Sequence, residues 1–214
     1  MMTKAQERFE IYDEEMKPIG TATRSETHAR GYWHRTFQCW IWDGTSEQPA
    51  LLFQERHMEK DTFPGLLDIS SAGHLTVGEG VEDGVRELEE ELGLKVSLDQ
   101  LIPCGIYKYE KFLSNGLIDR EFCHVFVLES RLSLYDYKLQ PDEVTGLFWM
   151  PLEEVHRMAE GQPLTWRLSG VSLHADGMLH SSEKTVGASD FVPHKRDYYE
   201  LILRAIEKRR GEAG

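Results

Sequence analysis

Short stretches of alternating or continuous apolar residues, separated by turn-forming residues, recur along most of the chain. Stretches of this length and composition are typical of β-strands rather than of long helices. The pattern predicts a hairpin over residues 8–24, and it predicts strands over residues 8–12, 19–24, 34–42, 50–54, 66–70, 73–77, 102–112, 121–128 and 144–149.

Helical periodicity is clearest in the segment 81–92, where apolar residues recur at spacings of four, three and four. These spacings place four residues on one helical face: Val81, Val85, Leu88 and Leu92. Gly93 follows as a C-terminal stop. Further helices are predicted over 152–159 and 197–209, whereas 161–193 is rich in Gly, Ser and His and shows no readable pattern.

The balance of these elements indicates the fold class. Many short strands, one central helix and a few peripheral helices predict an α+β fold in which helices flank a mixed sheet. We expect a single domain over residues 1–214, with a core of about 30–160, the N-terminal hairpin 8–24 and a C-terminal extension 161–214. No apolar run approaches the roughly 18 residues of a membrane helix.

Composition and charge exclude several classes of partner. The chain carries 37 acidic and 24 basic residues, a net charge of −13, so neither nucleic acid nor an anionic membrane is an expected partner. Three cysteines without a paired spacing predict free thiols, and the first residues lack the apolar stretch of a secretory signal. We therefore expect a cytoplasmic protein, which could bind a small phosphate ester through a divalent cation.

Three glutamates stand opposite the apolar face of the predicted central helix. Glu87, Glu90 and Glu91 fall within about 100° of arc on the helix surface. Like charges so close together repel one another, and clustered carboxylates are the ligands that Mg²⁺ and Mn²⁺ prefer. The alternative is an acidic helix face exposed to solvent, which is the usual explanation of a charge run.

The residues around this helix resemble the Nudix box. Gly73-His-Leu-Thr-Val-Gly-Glu79 leads into Arg86-Glu-Leu-Glu-Glu-Glu-Leu-Gly-Leu94. The box is a glycine, five residues, a glutamate, seven residues, and then Arg-Glu-apolar-x-Glu-Glu-x-Gly-apolar. This chain departs from it at one point, because six residues rather than seven separate Glu79 from Arg86. The departure leaves the three helix glutamates in phase and puts the role of Glu79 in question.

The resemblance implies a fold, a reaction and a set of site residues. Members of the family fold as a mixed sheet between helices and hydrolyse diphosphate linkages in nucleoside diphosphate derivatives and similar small molecules. Glu87, Glu90 and Glu91 would bind Mg²⁺ or Mn²⁺, with the Gly73 carbonyl as a further ligand. Arg86 would orient the glutamates by a salt bridge. The candidates for the general base are Glu90 or Glu91, followed by Glu121 and Glu143.

Other stretches resemble the branch of the family that contains isopentenyl-diphosphate isomerases. They are residues 27–28, 34–35, 63–68, 71–74 and 119–123. In those isomerases three histidines and two acids hold one metal, and the matching residues here are His28, His34, His74, Asp119 and Glu121. Arg56 and Lys60 are candidates for contacts with the diphosphate, although Lys60 could equally face solvent.

One position argues against isomerisation. The isomerases carry a catalytic cysteine two residues before the Gly-His histidine, where this chain has Ala72, which cannot transfer a proton. We therefore expect hydrolysis, and the alternatives are an isomerase and a non-catalytic Nudix-like ligand sensor. A homodimer is the expectation from family analogy.

Overall fold

The computed structural model describes residues 7–44, 48–113 and 116–212. Eleven strands among these residues form one mixed sheet. They are β1 (Arg8–Tyr12), β2 (Pro18–Thr23), β3 (Trp33–Asp43), β4 (Ala50–Arg56), β5 (Leu67–Asp68), β6 (Ser71–His74), β7 (Ile102–Phe112), β8 (Ile118–Glu129), β9 (Val144–Pro151), β10 (Thr165–Leu173) and β11 (Leu179–Gly187). The α-helices are α1 (Arg24–Arg30), α2 (Arg86–Leu92), α3 (Leu152–Ala159) and α4 (Arg196–Glu212).

Strand β3 is the centre of the sheet. It pairs in parallel with β8 over ten residues and antiparallel with β1, β4 and β6. Its apolar residues alternate between two cores, so the strand is buried on both faces. Trp40 and Trp42 point to the face covered by α3 and α4, and Phe37 and Ile41 point to the face covered by α2.

Helices therefore lie on both faces of a mixed sheet, which confirms the predicted α+β sandwich. On one face, Leu88 and Leu92 of α2 are fully buried. On the other, Tyr198, Ile202 and Ile206 of α4 are at most 1% exposed. No helix of the described chain is long and apolar enough to cross a membrane.

The segment 81–92 is not one continuous helix, and here the sequence prediction is wrong. Residues Val81–Val85 form a 3₁₀ helix, and α2 begins only at Arg86. Glycine is a poor helix former, and Gly84 lies so close to Phe37 that an added Cβ would stand 2.6 Å from the phenylalanine Cβ. The 3₁₀ turn thus packs tightly against the sheet at Gly84 and Phe37.

Helix α1 was not predicted. The predicted strand 19–24 ends at Thr23, whose hydroxyl accepts the Glu26 N–H at 3.2 Å and caps the new helix. The change of direction brings His28, in the last turn of α1, to the start of β8, where its Nε2 lies 3.6 Å from Asp119 Oδ1.

The C-terminal extension adds to the sheet. The unreadable segment 161–193 contains the hairpin of β10 and β11, and β10 pairs with β9. Trp166, Leu168 and Val171 of β10 are buried, whereas β11 is largely exposed. After the hairpin, α4 returns over the sheet beside β7 and β8.

Candidate active site

The three helix glutamates form part of a cavity wall. Glu87, Glu90 and Glu91 all line one cavity of about 890 Å³. Glu91 is 4% exposed, and the side chains of Glu87 and Glu90 are 12% and 59% exposed. The predicted cluster is present, and only Glu90 resembles the solvated surface residue of the alternative interpretation.

A close approach between α2 and β6 positions two of these carboxylates. An added Cβ on Gly73 would lie 2.0 Å from the Glu87 carboxyl carbon, so only glycine leaves room for that group. Next to it, the Ala72 N–H donates to Glu91 Oε2 at 3.2 Å, and Gln54 Nε2 donates to the same oxygen at 3.5 Å. The Gly73 main chain thus lies beside the Glu87 carboxylate, while the role of the Gly73 carbonyl as a metal ligand stays a prediction.

Burial makes the charged form of these acids costly. It raises the pKa of Glu91 to about 8, and the charge of Glu87 adds to the rise. It also raises the pKa of Glu87 to about 7, although Arg86 opposes the rise. A cation held between such carboxylates would offset the cost of their ionisation.

Arg86 contacts the acidic cluster from its rim, as predicted. Its guanidinium forms ion pairs with Glu87 and, at 3.3 Å, with Glu90, and it donates to the His74 carbonyl at 2.9 Å. Its shortest contact with Glu79 is 2.7 Å, and this ion pair lowers the pKa of Glu79 to about 2. Although the box is one residue short, the Glu79 carboxylate thus pairs with the Arg86 guanidinium and holds it in place.

A second cluster joins three histidines and two acids from four elements. The parallel register of β3 and β8 places His34 beside Glu121, and β6 brings His74 opposite Thr36 of β3. Candidate ligand atoms of the histidines lie within 4.8 Å of one another, as do those of His34 and the two acids. The structure therefore brings together the whole predicted set: His28, His34, His74, Asp119 and Glu121.

The chemistry of this second cluster fits a divalent cation. The Nδ1 atoms of His28 and His34 face the carbonyl oxygens of Arg24 and Tyr32 at 2.8 and 3.1 Å, which leaves both Nε2 atoms for the cluster. Metal-bound imidazoles are commonly oriented in this way. Three buried atoms of the set have no hydrogen-bond partner in the described part of the chain: His34 Nε2, His74 Nε2 and Asp119 Oδ1.

His74 differs from the other two histidines. Its Nδ1 lies 3.1 Å from Arg24 Nη1, and because arginine can only donate, this nitrogen must accept. The same Arg24 nitrogen lies 3.4 Å from Glu7 Oε2. Arg24 is thus a cation at the edge of the cluster that the sequence did not indicate.

The two predicted diphosphate-binding residues line the cavity but are held by acids. Arg56 donates to Asp68 at 2.7 Å, and Lys60 forms an ion pair with Glu143. Both side chains are more than four-fifths buried, so the alternative of a solvent-facing Lys60 is wrong.

Several residues of the site escaped the sequence prediction. Thr36 and Cys123 donate to Glu121 Oε2 at 3.2 and 3.3 Å, while burial raises the pKa of Glu121. His194 Nε2 lies 3.2 Å from Asp68 Oδ1 in the same cavity wall. Asp68 could have been noticed as an acid within an otherwise apolar stretch, whereas nothing in the sequence around His194 marks it.

Charge in the cavity is unbalanced. Its described lining contributes nine carboxylates but only four Arg or Lys side chains. When these groups are ionised, a diphosphate would be repelled by their excess unless cations entered with it.

The chain is similar to one family model and to several known proteins. A model of the NUDIX domain matches residues 32–167. A protein of Clostridium acetobutylicum, named as an uncharacterized Nudix hydrolase, is 42% identical over 201 residues, which cover 94% of this chain and 97% of that protein. An isopentenyl-diphosphate Delta-isomerase of Salmonella arizonae is 29% identical over 167 residues, which cover 77% of this chain and 86% of the isomerase.

Among solved structures, the Deinococcus radiodurans protein DR0079 is similar to this chain with a TM-score of 0.55. The two sequences are 21% identical, and the similarity covers 93% of this chain and 99% of that one, which supports the fold alone. The domain match spans more than half of the chain, and the clostridial relative is similar over almost its whole length. This chain therefore belongs to the Nudix family, as a hydrolase that acts on pyrophosphate bonds.

Proposed function

We propose that the chain uses Mg²⁺ or Mn²⁺ to cleave the diphosphate linkage of a nucleoside diphosphate derivative or a similar small molecule. The observation that carries this proposal is the meeting of Glu87, Glu90 and Glu91 with Gly73 in one acidic cavity. Two of these carboxylates are buried at a cost that a bound cation would offset.

Each residue of the helix cluster has a distinct part in the proposal. Glu87 and Glu91, together with the Gly73 carbonyl, would hold the cation, while Arg86 keeps the Glu87 carboxylate in place. The bound cation would neutralise phosphate charge and make a coordinated water easier to deprotonate. Glu90 is the most exposed of the three, so it could accept a proton and pass it to solvent.

The histidine cluster would hold a further divalent ion in the same cavity. His28, His34 and His74 offer imidazole nitrogens, and Asp119 and Glu121 offer carboxylate oxygens. With an ion at each cluster, the excess of negative charge in the cavity would fall and an anionic substrate could bind.

The proposal is tested with a substrate panel. Nucleotide sugars, dinucleotides, nucleoside di- and triphosphates and isoprenyl diphosphates are incubated with Mg²⁺ or Mn²⁺, and the products are identified by mass. We expect cleavage at a diphosphate bond, and loss of the rate on chelation. Absence of cleavage across the panel would contradict the proposal.

Variants of the helix separate the roles of its glutamates. Glu90→Gln or Glu91→Gln should lower kcat at least about 100-fold, because each removes a carboxylate without changing its volume. If one of these two variants turns over slowly but binds Mn²⁺ as wild type does, the glutamate that it lacks is the proton acceptor. Glu89→Gln is the matched control, since Glu89 lies on the same helix, is 53% exposed and pairs with Lys95 at 3.0 Å. Equal rates in wild type and in all three variants would contradict the assignment of Glu90 and Glu91 to the active site.

Isomerisation of an allylic diphosphate is the second candidate, because the complete histidine cluster favours it. Ala72 argues against it, since this residue offers only its backbone N–H, which is bonded to Glu91. In the same panel, isomerisation would appear as double-bond migration without release of phosphate, and hydrolysis as release without migration.

A further inference from the structure

Three mostly buried side chains, none of them a member of either acidic cluster, contact one another in the wall of the same cavity. His194 Nε2 lies 3.2 Å from Asp68 Oδ1, and Arg56 Nη1 donates to Asp68 Oδ2 at 2.7 Å. The side chains of Asp68 and His194 are each 9% exposed, and all three residues line the cavity. Sequence reasoning gave no function to His194.

Asp68 is fixed in place as an anion. The Ile69 N–H donates to Asp68 Oδ1 at 2.8 Å, in addition to the contacts with His194 and Arg56. Burial alone would raise the pKa of Asp68, but the hydrogen bond from His194 and the charge of Arg56 lower it to about 2. The ionised carboxylate therefore accepts from both partners at once.

The Arg56 guanidinium is held by Thr62 and Asp68, and one of its N–H donors remains available. Its Nε and Nη2 atoms donate to the Thr62 carbonyl at 3.1 and 2.9 Å, and Nη2 also lies 3.4 Å from the Thr62 hydroxyl. Arginine has five N–H donors. With one Nη1 donor directed to Asp68, the other is uncommitted within the described chain.

The C-terminal extension supplies the histidine and holds it rigidly. The Val192 N–H donates to the Leu67 carbonyl at 2.8 Å, which places the segment before α4 beside β5. The His194 ring stacks on Tyr198 with centroids 4.6 Å apart. The Tyr198 hydroxyl donates to Gln38 Oε1 at 2.6 Å and accepts from Trp40 at 3.1 Å, so it is anchored to β3.

We propose that His194 is a positioning residue for the substrate: through Asp68 it holds Arg56 so that the free guanidinium N–H binds a phosphate oxygen. A free arginine side chain loses considerable rotational entropy when it binds, and preorganisation removes that cost. The C-terminal extension thereby forms part of the substrate site. This inference rests on the proposed function, because it assumes a diphosphate in the cavity.

The first experiment measures binding without turnover. Methylenediphosphonate, a diphosphate that cannot be hydrolysed, is titrated in the presence of Mg²⁺ by calorimetry. His194→Ala should weaken its binding about tenfold, as expected when one charged hydrogen bond is misaligned. His194→Gln keeps a side-chain N–H donor and should restore most of the affinity. Asp68→Asn should weaken binding of the analogue. The double variant with His194→Ala should bind only slightly more weakly than Asp68→Asn, because His194 acts on Arg56 through Asp68.

The matched control is His180→Ala. His180 also contacts an aspartate, Asp176, at 2.9 Å, but both side chains are about half exposed on the β10–β11 hairpin. Its removal should leave the affinity for methylenediphosphonate unchanged. In the hydrolytic assay His194→Ala should raise KM more than it lowers kcat, and thermal unfolding should show that the variant is folded. A purely structural role would lower the unfolding midpoint without this difference between KM and kcat.

The outcomes distinguish this inference from the proposed function. If wild type binds methylenediphosphonate but hydrolyses no diphosphate, the proposed function fails. The affinities of the His194 and Asp68 variants for the analogue then still test the positioning role of His194. If wild type hydrolyses its substrate but His194→Ala binds and turns over as wild type does, the positioning role is overturned. Failure of His194→Gln to restore affinity, or of wild type to bind the analogue, overturns it as well.

Discussion

Gly73 shows how a single residue sets the spacing of the site. The Glu87 carboxyl occupies the space that a Cβ at this position would need. Gly73→Ala should therefore displace Glu87 and weaken Mn²⁺ binding by at least about tenfold, which is the smallest loss usually seen when a metal ligand is no longer correctly oriented. Electron paramagnetic resonance of free Mn²⁺ measures the affinity.

The control for this substitution is Gly187→Ala. Gly187 has extended backbone geometry, and its added Cβ would meet nothing closer than 3.9 Å. This variant should bind Mn²⁺ as wild type does. If Gly73→Ala also binds normally, the Glu87 carboxylate is not held where the metal site requires it.

Arg24 and a cation compete for His74. A neutral imidazole has one lone pair, so His74 cannot accept from Arg24 at Nδ1 while Nε2 binds a metal. Arg24→Ala removes both this competitor and a like charge, and it should tighten Mn²⁺ binding to the substrate-free protein about threefold or more. Arg30→Ala is the control, because Arg30 lies on the same helix, is 63% exposed and pairs with Glu26. Weaker binding in Arg24→Ala would contradict the competition.

At the scale of elements, the sequence predicts the strands well and the pairing poorly. Short alternating or continuous apolar stretches identified nine strands of the sheet, because burial of one or both faces leaves a local signal in the sequence. The register that puts His34 beside Glu121 depends on a parallel pairing between strands far apart in sequence, which local patterns do not encode. The histidine set was therefore expected from family resemblance alone.

Two other elements could not be predicted for different reasons. Helix α1 has only seven residues, one of them buried, so it carries no apolar periodicity. In the C-terminal hairpin, β11 has only one buried residue, Val186, so it carries no clear apolar pattern. The contact between His194 and Asp68 joins residues 126 positions apart and exists only once α4 has folded onto the sheet.

For Gly84, in the 3₁₀ turn before α2, we expect the change in stability on substitution by alanine to be opposite to the one that helix propensity predicts. Replacing glycine by alanine within a helix normally stabilises it by about 1 kcal/mol. At Gly84, however, the new methyl would press against Phe37, so Gly84→Ala should destabilise the protein by about 1–3 kcal/mol. Gly211→Ala, in α4 with open space around it, is the control and should be neutral or stabilising. Urea unfolding measures both, and a stabilised Gly84→Ala would show that this contact is loose.

The whole molecule combines a net charge of −13 with a cavity whose lining is also predominantly acidic. Carboxylates from β8 and α2 converge there because the sheet and the helix meet at Gly73 and His74, two consecutive residues that serve both clusters. Without a cation, burial disfavours the charged form of the acids in both clusters and raises their pKa values. Binding of cations and stability of the fold should therefore be linked across the entire domain.

This linkage is measurable as a metal-dependent rise in thermal stability. A cation at 100 times its dissociation constant should stabilise the folded protein by about 2.7 kcal/mol, because it binds only the assembled site. Thermal scans with Mn²⁺ or Mg²⁺ should show a rise in Tm that a chelator reverses and that NaCl at equal ionic strength does not reproduce. Glu87→Gln should lose the part of the rise that comes from the ion at the helix glutamates, whereas Glu89→Gln should keep the whole rise, since Glu89 faces solvent on the same helix. A rise of the same size with NaCl, or in Glu87→Gln, would mean that the cations screen surface charge in general and do not bind between these carboxylates.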